Sequence, residues 1–373
     1  MISRRLAGPD YLARLAELRD RHGGVFPGRS GQLYVADPRI ARAVLGNAGG
    51  RFREHSDFFR IRGGTFGPRS AQVEVGRAVR QLLHRHHRAS AETLPELVDR
   101  HLVPTSTWPD AGNRLLFDYT RSILVGEDPS PLLLDTIRQV VERAVLAGAR
   151  DRYSMLARAR FRARVMRVLA AELAARRAST GSGDLFDALA RNAPPVTPNR
   201  DLAEVYLSGL FAVVGSVGFL FGWAMFLAAT HGFGEPARVV REALRLWPVA
   251  WLFARRPAQA GDLGGVAVTP DDDVRVCGYL VHRDPDHWSA PDEYRPERWA
   301  GLENGTEAFI PFGWGPHACT GAAASMRIVE SLIGIVGDGY RPDITVTDPR
   351  PHVAAALAPP CFTLRLAKTA RTG

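Results

Sequence analysis

The chain has 373 residues, 46% hydrophobic and 23% charged, the balance of a globular protein with enough apolar side chains for a large core. Its three cysteines, Cys277, Cys319 and Cys361, lie too far apart for a disulfide framework or a CxxC zinc site and suit a reducing cytoplasm. The net charge of +9 and isoelectric point near 10.0 come almost wholly from arginine, with Lys368 the sole lysine. That skew reflects GC-rich coding rather than phosphate recognition, so nucleic acid is not expected as a partner.

In chain order, Met1-Ile2-Ser3-Arg4-Arg5 leads into a charged amphipathic segment without an apolar h-region, so no signal peptide is expected. Leu12, Leu15 and Leu18 mark a helix from about Asp10 to Arg21, ended by Gly23-Gly24. Short apolar runs (Val25-Phe26, Leu33-Tyr34-Val35) predict a strand hairpin, and Asp37-Pro38 opens a helix carrying Ile40, Ala43, Val44 and Leu45. Residues 50–72 read as loop, and Val75 to Arg88 as a helix. Helical periodicity dominates from Leu94 to Arg191, broken at Pro104, Pro109, Pro129 and Pro131. The Pro-rich run from Ala193 to Pro198 is a loop too short to link domains.

Tyr206 to Thr230 has no charged residue and is long enough to cross a bilayer. It is interrupted by Gly209, Gly215, Gly218 and Gly222, and neither an arginine cluster nor an aromatic belt marks its ends, so a central buried helix is expected and no membrane. After Pro248 the pattern turns strand-like, a helix follows Cys319, and Ile344 to Leu366 reads as short strands. The expectation is one domain over residues 1–373, mainly α with minor β.

The chemistry concentrates in Phe312-Gly313-Trp314-Gly315-Pro316-His317-Ala318-Cys319-Thr320-Gly321. A lone cysteine in a glycine-rich turn, with an aromatic upstream and a helix downstream, suits a thiolate axial ligand to haem iron. Glycines let peptide N–H groups turn toward the sulfur, the aromatic shields it from water, and the helix N-terminus favours the anion. The run closely resembles the haem-binding loop of the cytochrome P-450 family, and further signatures of that family surround it in order. Glu242-Ala243-Leu244-Arg245 resembles its ExxR motif, His282-Arg283-Asp284-Pro285 its HRDP turn, and Pro296-Glu297-Arg298-Trp299 its PERF stretch.

The resemblance implies the cytochrome P-450 fold, haem b clamped between a distal helix and the cysteine loop, and Cys319 as its ligand. Phe312 would shield the sulfur, with Gly315 and Gly321 shaping the loop. Glu242, Arg245 and Arg298 would form a buried ionic triad. His317, Arg255 and Arg80 are the implied propionate partners; the histidine that many bacterial members carry near Arg80 aligns with Gly76. The cluster His84-Arg85-His86-His87 is read as a polar face rather than a metal site, since adjacent residues do not share one helix face.

The same alignment places Ala212-Val213-Val214-Gly215-Ser216-Val217 where the family usually carries an acid followed by threonine. Here Gly215 and Ser216 stand in their places, and the nearest preceding acid, Glu204, lies roughly three turns away. Three explanations stay open: protons arrive through water or a substrate group, peroxide is the oxidant, or the reaction is not oxygen insertion, oxidative coupling of aromatic rings being one example. The implied function is oxidation of an organic substrate, a small molecule or a peptide, in bacterial secondary metabolism by a cytoplasmic monomer, with electrons from a ferredoxin and its reductase. A peroxide-using or radical-coupling enzyme, and a haem-binding recruitment module whose oxygen chemistry has decayed, are the alternatives.

Overall fold

The computed structural model describes residues 10–28, 31–53, 56, 58–146, 153–178, 183–302 and 305–369; the Met1–Arg5 opening lies outside them. The chain divides into two compact units, each assembled from three separate stretches.

The first unit takes Met1–His55, Trp223–Cys319 and Asp348–Cys361. The expected first helix runs over Tyr11–His22 and buries Leu12 and Leu15. A four-stranded sheet follows, with Gln32–Val35 antiparallel to Val25–Pro27 and parallel to Asp273–Cys277, whose other edge pairs antiparallel with Leu252–Arg255. Between the first two strands and the later pair, the chain forms Pro38–Gly46, a helix started by the Asp37 carboxylate accepting from Ile40 N–H at 2.8 Å and by proline in its first turn. Val35, Val44, Leu45, Val274, Val276, Trp288 and Trp299 share one core. Pro236–Leu246 is a strongly amphipathic helix whose N-terminus is capped by Glu235.

The second unit takes Ser56–Gly222, Thr320–Thr347 and Phe362–Gly373 and is mostly helical. The helix read as Val75–Arg88 extends over Arg69–Ser90, so it begins inside the stretch read as loop, where Arg60–Ile61 and Gly64–Thr65 also pair. Between the breaks expected at Pro104 and Pro109 lies a strand that the periodicity did not predict, Thr105–Trp108, paired antiparallel with Phe362 to Arg365. Trp108 stacks on Phe362 with ring centroids 5.4 Å apart and packs edge-on to Phe221 at 5.1 Å. Pro131 opens the helix Pro131–Val140 instead of breaking one, because a helix's first turn needs no N–H from proline.

The apolar segment is longer than its sequence suggests. Asn199–Leu210 continues through a wider i+5 turn, Phe211–Ser216, into Val217–His231. It is long and apolar enough to cross a membrane, yet 78% of its most apolar window is buried inside protein. Burial comes from close approach as well as from large side chains. At Gly218 a methyl group would collide with the Asn113 side chain and lie 2.9 Å from its backbone Cα. Gly218→Ala is therefore expected to destabilise the protein by about 1–3 kcal/mol, although alanine is ordinarily the better helix former. A denaturant midpoint equal to or above that of the parent would contradict this.

Candidate haem-thiolate site

The cysteine loop is held by its own backbone. Gly313 N–H donates to Ile310 O at 3.0 Å, Gly315–His317 makes one tight turn, and Ala318 N–H donates to Gly315 O at 3.0 Å. Cys319 N–H reaches back to Phe312 O at 2.9 Å, tying the cysteine to the aromatic seven residues earlier. Gly315 has φ of +73°, and a Cβ there would sit 2.7 Å from Gly46 Cα, so glycine is required both by backbone and by space. Arg42 stacks on Trp314 with its guanidinium 3.9 Å from the ring centroid and donates to Thr306 O at 2.7 Å.

The three thiols differ sharply. Cys319 is exposed, Cys361 is half-buried with Sγ 3.3 Å from His352 Nε2, and Cys277 is buried. Burial pushes the Cys277 thiol up to about 12, which leaves it protonated and unreactive. Phe312 and His317 are half-buried beside Cys319 in the loop. Arg255 ends the strand Leu252–Arg255, is only 7% exposed, and turns one Nη1–H onto Ala254 O at 2.8 Å.

The residues behind the loop form one network. Glu242, fully buried, accepts from Arg245 Nη2 at 2.7 Å and Nε at 2.9 Å, and from Arg298 Nε at 3.1 Å. Two further donors, absent from the sequence reading, complete the carboxylate: Trp299 Nε1 at 2.9 Å and Arg295 N–H at 3.0 Å. Arg245 also donates to the carbonyls of Pro291 (2.6 Å), Glu293 (2.9 Å) and His282 (3.2 Å). Burial pulls the Arg298 guanidinium down and the Glu242 carboxylate opposes it.

His282, read from sequence only as part of a turn, is fully buried. Its Nδ1 lies 3.2 Å from both Leu244 O and Arg245 O, and its Nε2 accepts from Ile310 N–H at 2.9 Å. One neutral ring thus joins the end of the ExxR helix to the start of the cysteine loop. Nothing in its local sequence distinguishes this role from that of an ordinary turn histidine.

In the second unit, Gly321 precedes the helix Ala322–Gly339 and its carbonyl accepts from Ser325 N–H at 2.9 Å. Arg80 is exposed on Arg69–Ser90. Gly76, the position aligned with the family's histidine, faces Thr320, whose Cγ2 would be 3.1 Å from an added Cβ. The polar-face reading of the histidine cluster is only partly right. His86 Nε2 lies 2.8 Å from Tyr119 O and His87 Nδ1 2.9 Å from Tyr119 Oη, so both neighbours reach one residue, one by its backbone and one by its side chain. Burial lowers the pKa of each. Ser216 is exposed and Gly215 buried, with Val145 Cγ1 3.5 Å from where a Gly215 Cβ would be. Glu204, the nearest preceding acid, pairs with Arg162 at 3.0 Å.

No group of three His, Cys, Asp or Glu able to hold a metal occurs among the described residues. The exposed Cys319 on its preformed turn offers a soft ligand of the kind haem iron takes. Loop and fold together fit a haem-thiolate protein.

The comparisons with known proteins agree. The Cytochrome P450 family model matches residues 237–336. Cyclooctatin synthase of Streptomyces melanosporofaciens is 33% identical over 129 residues, 33% of this chain and 28% of that protein. Sesterfisheric acid synthase of Neosartorya fischeri is 40% identical over 105 residues, 25% and 19%, and human cytochrome P450 3A5 is 38% identical over 101 residues, 26% and 20%. The matches thus span less than a third of the length of these relatives. A solved cytochrome P450DA heme domain superposes with a TM-score of 0.74 at 16% identity, over 98% of this chain and 93% of that one. Residues 237–336 thus match the Cytochrome P450 family, whose cofactor is haem b, and the chain as a whole has the fold of a cytochrome P450 heme domain.

Proposed function

We propose that the protein is a haem-thiolate oxidoreductase of monooxygenase type, a single haem domain built from the whole chain that oxidises a small organic molecule. The observation that carries this is the Cys319 turn: an exposed cysteine whose backbone N–H donates to Phe312 O at 2.9 Å, inside the stretch matched by the family model. When bound, haem b supplies the oxidising iron, and a thiolate ligand donates electron density to it.

The chain's own residues have distinct tasks. Cys319 ligates and Phe312 excludes water from the sulfur. Gly315 and Gly321 shape the loop and its exit, and His317, Arg255 and Arg80 neutralise the propionates. Ser216, the one hydroxyl between Phe211 and Gly222, holds a proton at Oγ, while Gly215 leaves room beside it. Electrons come from a ferredoxin and its reductase, and the protein works as a cytoplasmic monomer. A role in bacterial secondary metabolism is supported by relatives named as synthases of individual compounds, cyclooctatin and sesterfisheric acid.

A second reading, peroxide-driven oxidation or radical coupling on the same haem, is favoured by one observation. Gly215 and Ser216 occupy the acid and alcohol positions, and the nearest preceding carboxylate, Glu204, is engaged by Arg162. Turnover with peroxide but not with ferredoxin and NAD(P)H is the outcome expected of it; turnover only with the redox partners overturns it. Product with neither would leave a haem-binding module. The central reading is tested by the absorption spectrum of the reduced, carbon-monoxide-bound protein. The parent is expected to show the thiolate-type band and Cys319→Ala to lose it. A variant that keeps the band would refute Cys319 as ligand.

A further inference from the structure

Asn113 lies in the helix Asp110–Val125 and has no exposed surface. Its Nδ2 donates to two backbone carbonyls of the wide turn, Val214 O at 2.8 Å and Gly215 O at 3.1 Å. A regular α-helix pairs each carbonyl with the N–H four residues on; an i+5 turn shifts that pairing and leaves carbonyls with spare acceptor capacity. The Asn113 amide is aimed at that place.

Two acceptors also fix which way round the amide stands, because only its NH2 can face them. Oδ1 is then left buried with no hydrogen-bond partner among the described residues. An unmet buried acceptor is costly, and a leucine of similar size would fill the space without that cost. What asparagine adds at this position is therefore its pair of donors.

The backbone on either side allows no slack. A Cβ on Gly112 would be 2.9 Å from the Trp108 ring and 3.1 Å from Gly218 O, and one on Gly218 would be 2.9 Å from Asn113 Cα. The two helices touch through backbone on both sides of the amide, so its reach is set within a few tenths of an ångström. The second carbonyl that it grips belongs to Gly215, one peptide bond from Ser216.

We propose that Asn113 is a positioning residue: by gripping Val214 O and Gly215 O it fixes the wide turn and with it the direction of the Ser216 hydroxyl. This rests on the reading of Ser216 as the hydroxyl of the oxygen site. In a segment without the usual acid, orientation of that hydroxyl falls to the backbone, and the backbone here is set from a second helix.

The test uses the parent holoprotein, Asn113→Leu and Asn113→Val, which are near asparagine in size and carry no hydrogen-bond donor. Hydrogen exchange of the amides from Phe211 to Gly218 reads the anchor, and the infrared C–O stretch of the reduced, carbon-monoxide-bound form reads the surroundings of the bound gas. Both variants are expected to lose about tenfold or more of the protection in that segment, the size of losing two hydrogen bonds, and to move the C–O band while keeping the thiolate-type absorption. Asn113→Ser, with one donor on a smaller side chain, takes their place if they do not accumulate. Unchanged protection overturns the anchor. Lost protection with an unmoved C–O band makes Asn113 a structural staple only and overturns the positioning role. A parent without thiolate-type absorption removes the haem-thiolate reading and the role with it, whereas the exchange measurement still reports whether the grip exists.

Discussion

Glu242→Ala is expected to destabilise the protein by about 3–5 kcal/mol, the usual cost of leaving a buried charge without its partner. The carboxylate receives five donors: two from Arg245, one each from Arg298 and Trp299, and the Arg295 N–H. All five would be left facing an apolar methyl. Against a total stability of roughly 5–15 kcal/mol for a folded protein, the loss is a large fraction and should appear as a strongly lowered denaturant midpoint. Arg245→Ala acts on the other side of the pair, since its guanidinium also holds the carbonyls of Pro291, Glu293 and His282. Replacing Glu242 and Arg245 together should cost less than the sum of the two single changes, because each single change strands the other charge. Strict additivity would mean that the two residues act independently, against the 2.7 and 2.9 Å contacts between them.

Acid should weaken the fold through His282. Burial lowers its pKa from the ordinary 6.5 to about 3, and geometry gives the same answer. Nε2 must stay unprotonated to accept from Ile310 N–H, while Nδ1–H faces the carbonyls of Leu244 and Arg245. The unfolded chain takes up a proton near its ordinary pKa, and the folded protein does not until about 3. Between those values the unfolded state carries one more proton, so stability is fully present above the ordinary pKa and falls by about 1.4 kcal/mol for each pH unit of acidification below it. Carboxylates add their own slope, so the comparison is with His282→Asn, which keeps a donor for the two carbonyls but does not titrate. Unfolding free energies between roughly pH 4 and 6 should depend on pH more steeply in the parent than in the variant, by about one proton. Parallel lines would show that His282 is protonated in the folded state, or that it does not titrate differently when unfolded.

Much of the site was legible because its residues are close in sequence. The cysteine turn is a local device: Gly313, Gly315 and Cys319 N–H close on atoms no more than seven residues away, so the chemistry shows in ten consecutive letters. The Glu242–Arg245 pair sits on one helical face, and the amphipathic helices carry their apolar stripe in their own spacing. The rest was decided by partners far along the chain. Thr105–Trp108 becomes a strand because Phe362 to Arg365 pair with it, 258 residues away at the Ser106–Leu364 pair, and no local pattern announces an ally at that distance. His282 finds its acceptor role only when Ile310 is folded against it.

The wide turn at Phe211–Ser216 divides the two kinds of knowledge most clearly. The letters alone predicted a mainly α protein with one cysteine in a glycine-rich turn, and their resemblance to a known family put Gly215 and Ser216 where an acid and an alcohol are usual, since both statements concern which residues occur and in what order. That Asn113, about a hundred positions earlier, donates to Val214 O and Gly215 O was decided only by tertiary structure. A helical asparagine looks the same in sequence whether its amide meets water or a neighbouring backbone, and the difference is made by packing that brings two helices within reach of one side chain.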